Sequence, residues 1–228
     1  MNELVAAVAA WSPETVLTGA PAEAIDALAR AAPQPLPPDY ADFLATAAET
    51  PGNLFTPRHD LSVEALLQFH RAGDWTPPAG YLAIGVDDSG MDTDLYLDLG
   101  SNSVVELERW SDDVPPLVDY ASLGAMLFSQ AFYNLRMPRF VRRARFVQNG
   151  PGAGLDALAR LALELELHPV PHTGGWTLCY DSSDLGLIAY EPPGRGLFLE
   201  AGAADDVRLL ALQRVLERLL HVVTTPSS

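Results

Sequence analysis

Between Val86 and Leu95 the chain reads DDSGMDTD, which puts four aspartates, Asp87, Asp88, Asp92 and Asp94, on one short turn. Carboxylates this dense could hold a hard cation, share catalytic work, or face a basic partner. A calcium loop of the EF-hand type needs D-x-[DN]-x-[DN]-G and a glutamate at the twelfth position. Counted from Asp88, the third position is Gly90, the sixth is Thr93 and the twelfth is Leu99, so the template fails at each. Glycoside chemistry needs two acids fixed across a cleft, and a hairpin tip is a poor place to fix them.

Other chemistry-bearing patterns lead nowhere further. The G-x-S-x-G nucleophile elbow does not occur. Cys179, inside GWTLCY, reads as a small core residue of a strand. His168 and His172 in LHPVPH have the spacing of a helical zinc pair, but Pro169 and Pro171 deny them the helix. GPGAG at 150–154 misses the dinucleotide pattern by one residue, and Asp156 puts negative charge where a phosphate would sit. It reads as a linker that caps a helix. No metal ligand set and no cofactor is expected.

All 14 basic residues are arginines, so lysine chemistry is excluded, from phosphate-binding loops to Schiff bases. The net charge of −16 is unevenly placed. Residues 1–135 hold 20 acids against 4 arginines, and residues 136–228 hold 10 of each. A surface this acidic repels nucleic acid and anionic membranes and attracts basic proteins. No apolar run approaches the roughly 20 residues that span a bilayer. MNELVAAVAAW has no basic leader region, and with a single cysteine in the sequence a reducing cytoplasm is the expected location.

These residues need a scaffold, and the hydrophobic pattern supplies one. Helices are predicted over 3–11, 21–32, 38–50 and 61–73, with Pro38 in a first turn, Ser62 as a cap, and Tyr40, Phe43, Leu44 and Ala47 as a buried stripe. The period then changes. YLAIGV (81–86), DLYLDL (94–99) and SVVELERW (103–110) predict an antiparallel meander, its middle strand burying Leu95, Leu97 and Leu99 on one face. A helix follows at 119–135. Residues 136–153 form a bridge carrying Arg136, Arg139, Arg142, Arg143 and Arg145, expected to dock against the acidic part. From 154 to 228 the order is helix, three strands, helix. The fold class is therefore α+β: an acidic unit at 1–135, the bridge, and a smaller α+β unit at 154–228.

The run from Pro21 to about Tyr133 resembles the SUKH superfamily, which includes the Smi/Knr cell-wall regulators. The resemblance rests on Leu36-Pro37, Asp39-Tyr40 and Phe43-Leu44, on Tyr81-Leu82-Ala83-Ile84-Gly85 before an acidic turn, on Leu95-Tyr96-Leu97-Asp98, on Val104-Val105, and on the helix at Tyr120–Phe132. The usual Asn-Gly after the Leu-Pro helix is Pro51-Gly52-Asn53 here.

What the resemblance implies is a binding module that is not an enzyme: an immunity protein covering the basic cleft of a bacterial toxin, or alternatively a regulatory scaffold. A carboxylate-dependent hydrolase is the reading from another class. The expected partner surface comprises Asp87, Asp88, Asp92 and Asp94, extended by Asp112 and Asp113, with Trp75 or Trp110 as anchors.

Overall fold

The computed structural model describes residues 1–50, 54–56, 58–73, 75–110, 115–148, 154–193, 196–220 and 223–225. The chain divides into two units, Met1–Leu123 and Gly124–Ser228, earlier than the boundary expected after residue 135. Residues 124–135 hold no acid and no arginine, so the charge split is unchanged: the first unit carries −16 and the second is neutral.

In the first unit, α1 (Asn2–Trp11) and α2 (Ala22–Ala31) precede α3 (Pro38–Ala47). Pro38 stands in the first turn of α3, where a missing N–H costs nothing. Tyr40, Phe43, Leu44 and Ala47 are buried, as their spacing predicts. The two-residue strand β1 (His59–Asp60) leads into α4 (Val63–Ala72). The Ser62 hydroxyl accepts the Ala65 amide at 3.2 Å, and Gly73 ends the helix at a left-handed φ of 66°.

Strands β2 (Tyr81–Asp87), β3 (Thr93–Asp98), β4 (Val104–Glu108) and β5 (Leu117–Tyr120) complete the sheet. Its order is β1-β2-β3-β4-β5, antiparallel throughout. The predicted meander is present, with a short strand added at each edge. One expectation is corrected. β3 is buried on both faces, because it is central and Trp75 stacks edge-on against Tyr96 with ring centroids 5.8 Å apart.

The second unit begins within α5 (Leu123–Ala131), which continues as a π-helical turn at Phe132–Arg136 and a 3₁₀ turn at Met137–Arg139. There follow β6 (Arg142–Val147), α6 (Gly154–Glu164), β7 (His168–Pro169), β8 (Thr177–Asp181), β9 (Leu185–Tyr190), β10 (Phe198–Ala203), α7 (Asp206–Leu220) and β11 (Val223–Thr225). The sheet order is β11-β6-β10-β9-β8-β7. The predicted helix, three strands and helix are all there.

The bridge is not a bridge. Most of its arginine run is β6, an interior strand between β11 and β10. Its arginines pair inside their own unit: Arg136 with Asp181 at 2.8 Å, Arg142 with Asp206 at 2.7 Å, and Arg143 and Arg145 with Glu200 at 3.4 and 2.7 Å.

One face of this sheet meets α6 and α7 through Phe146, Leu158, Leu187, Leu199, Leu212 and Leu216. On the other face Phe140 lies on two glycines. A Cβ at Gly202 would come within 2.4 Å of the Phe140 ring, and one at Gly186 within 2.5 Å. Small residues are required there because the ring occupies their side-chain space.

A candidate docking groove beside the aspartate turn

The hairpin between β2 and β3 does not present four equivalent carboxylates. Asp94 is fully buried. Its oxygens accept both forks of Arg109 at 2.6 Å, the Tyr96 hydroxyl at 3.0 Å and the Asp87 amide at 2.9 Å. Asp94 and Tyr96 lie two residues apart on one strand, so they share a face, and Arg109 reaches them from the end of β4. Asp87 holds the turn together. It accepts the Ser89 amide and hydroxyl at 2.9 and 2.6 Å and the Met91 amide at 2.6 Å. Burial works against its charge, but the bonds from Ser89, Met91 and Thr93 outweigh it and hold the carboxyl at about 2.

Two aspartates of the turn remain exposed. Asp92, at φ 54°, lies 3.5 Å from the Arg109 guanidinium. Asp88 is exposed and borders a hollow of about 300 Å³ that also meets Glu49, His59 and Asp60. There Glu49 accepts the Val63 amide and Asp60 accepts the Ser62 amide. The expectation that all four aspartates face a partner is therefore corrected for Asp94, which is buried, and for Asp87, whose carboxylate closes the turn. Arg58 also pairs with Glu106, which lowers the local charge further. Asp112 and Asp113 lie outside the described residues.

The two tryptophans come together with this network. Phe69, Trp75, Trp110 and Arg109, with Ala65, Ala72, Gln68 and Val86, line a groove of about 280 Å³ between α4 and the sheet. Trp75 stacks edge-on with Phe69 as well as Tyr96, and Arg109 lies over the Phe69 ring at 5.5 Å. Trp110 follows β4, is 58% exposed, and has a left-handed φ of 58°. A bulky residue rarely adopts that conformation, and such strain is characteristic of sites where function sets the geometry.

Arg109 was not singled out from sequence. Arg58, Arg71 and Arg109 all punctuate polar stretches of the first unit, and no local pattern marks the one that reaches Asp94. The remaining sequence candidates sit elsewhere. Burial pushes the Cys179 thiol up, away from thiolate chemistry. His172 packs against Phe128 at 4.7 Å, and His168 begins β7. Among the described residues, no group of three or more His, Cys, Asp or Glu side chains is placed to hold a metal ion. No described helix is long and apolar enough to cross a membrane. No family model, curated protein or solved structure matches the chain.

Proposed function

We propose that the chain is a non-enzymatic protein-binding module of the SUKH kind, an immunity protein that covers the basic cleft of a toxin. The observation that carries this reading is Trp110: exposed, held at a left-handed φ, and forming one wall of an aromatic groove on a unit of charge −16. Aromatic side chains in a groove are the usual anchors of an interface. Acidic surroundings speed encounter with a basic partner and disfavour acidic ones. Asp88 and Asp92 are the turn's exposed contributors to that field, and Asp94 with Arg109 fixes the floor. A general base drawn from this turn would have to be Asp88 or Asp92, since Asp87 and Asp94 are engaged in internal bonds. That weakens the hydrolase reading.

The test is a low-salt pull-down with tagged chain from cells producing candidate toxins, run beside Trp110→Gly and an Asp88→Asn, Asp92→Asn double variant. The expected outcome is one basic protein kept by the wild type, lost by Trp110→Gly, and released earlier with salt by the double variant. Co-production of the chain should relieve that protein's toxicity. Equal recovery by all three baits, or no relief of toxicity, overturns the proposal.

A further inference from the structure

A surface helix normally turns one apolar stripe inward and carries polar residues outward. Helix α7 does not keep to this. On its inward side Leu212, Leu216 and Leu220 enter the core at four-residue spacing. The same spacing recurs on the outward side. Val207, Ala211, Val215 and Leu219 are all exposed, Val207 at 78% and Leu219 at 46%. Residues four apart stack along a helix, so these side chains form one continuous apolar ridge about 18 Å long.

A second row lies against the first and gives the face its charge. It consists of Leu210, Arg214 and Arg218, again four apart and all exposed. The stretch from Val207 to Leu219 contains one acid, Glu217, which is partly buried and accepts the Gln213 side-chain amide at 2.8 Å. Arg208, at the edge of the face, pairs with Asp184 at 2.8 Å. Among the described residues, Arg214 and Arg218 have no carboxylate within ion-pair distance. The outward face of α7 is therefore apolar and basic. A contiguous exposed apolar surface of this kind marks an interaction site.

We infer that the outward face of α7 docks an acidic amphipathic helix of a partner protein. The partner's apolar side chains fill the groove between the two rows, and its carboxylates meet Arg214 and Arg218. Ala211, small and in the middle of the ridge, lets the two backbones approach. Charge decides the occupant. Two copies of α7 packed face to face would bring their arginine rows together with no exposed acid to answer them. An acidic helix answers both guanidiniums directly, and charges more than about 8 Å away are largely screened at physiological ionic strength.

The test titrates the full chain, by fluorescence anisotropy, into labelled synthetic peptides of about 18 residues, long enough to cover the ridge. One carries leucines along one helical face with glutamates beside them. Another has glutamine in place of each glutamate, and a control scrambles the glutamate peptide. The native chain should bind the glutamate peptide about fivefold more tightly than the glutamine peptide, and the scrambled peptide most weakly. Arg214→Gln combined with Arg218→Gln should abolish that preference and leave the glutamine peptide's affinity unchanged. Val215→Ser should weaken both helical peptides about tenfold. Far-UV circular dichroism checks that the variants fold, and Leu210→Ser replaces Val215→Ser if the latter does not. Trp110→Gly should change none of the titrations, which separates this face from the groove in the first unit. No binding of the glutamate peptide, equal affinity for the glutamate and glutamine peptides, or binding indifferent to Val215→Ser each overturns the inference. So does a dimer in sedimentation velocity, or capture by phosphatidylcholine vesicles, that Val215→Ser abolishes, since the face would then belong to a second copy or to lipid.

Discussion

Each unit buries one carboxylate in its sheet and answers it with arginine, and the two solutions differ. Asp94 is fully enclosed, with a guanidinium only 19% exposed, and is also bonded to a tyrosine hydroxyl and a backbone amide. Glu200 is nearly as deep, but its arginines are 43% and 45% exposed, and Arg145 lines a shallow hollow beside it. A closed network fixes geometry: it ties the aspartate turn to the end of β4 and so positions Trp110. An open one leaves its guanidiniums partly in water. The first unit therefore spends its ion pair on holding a surface in place, and the second keeps its ion pair as part of the surface.

The comparison breaks if the two carboxylates prove equivalent. Asp94→Ala strands Arg109 and two further donors, and should cost about 3–5 kcal/mol. Glu200→Ala removes a carboxylate from two arginines that water already reaches, and should cost about 1–2 kcal/mol. Urea unfolding measures both, and Trp176 is the second unit's own tryptophan, so its fluorescence separates the halves. Equal losses would show that enclosure is not what distinguishes them.

Gly202→Ala sharpens the contrast from the other side. Its Cβ would collide with Phe140, and the expected loss of about 1–3 kcal/mol should be confined to the second unit's transition.

Acid acts on the turn through Asp87. Asp87 has a folded pKa depressed to about 2, so its contribution is fully present above the ordinary carboxylate range near pH ~4 and is lost as pH falls through about 2. Asp87→Asn should lower stability at neutral pH and flatten the first unit's decline across that window. A decline as steep as in the wild type would contradict the hydrogen-bonded turn.

The smallest effect is expected at Trp110. Trp110→Gly should leave stability within about 0.5 kcal/mol, because relief at the left-handed φ offsets lost packing, while partner capture disappears. A large loss of stability would make Trp110 part of the core and not an anchor.

The helices and the meander were legible because they are written in local periodicity and punctuation. Tyr40, Phe43, Leu44 and Ala47 recur at helical spacing, Ser62 and Gly73 bracket α4, and Leu95 and Leu97 alternate along β3. β1 and β11 span two and three residues, too short for any period to register. The second face of β3 was misread because Tyr96 and Asp94 are polar types. They are buried by pairing with Trp75 and Arg109, which no alternation rule anticipates.

Composition and order alone determined the acidic bias of the first half, the exclusion of lysine chemistry, the α+β class and the placing of most elements. Only the tertiary structure decided which aspartates are surface and which are interior, and where the arginine run finds its partners. The reason is separation along the chain. Arg109 meets Asp94 across 15 residues and Arg145 meets Glu200 across 55, through strand registers fixed by the packing of whole sheets. A side chain's type sets what bonds it can make, and the fold alone sets which partner comes within reach.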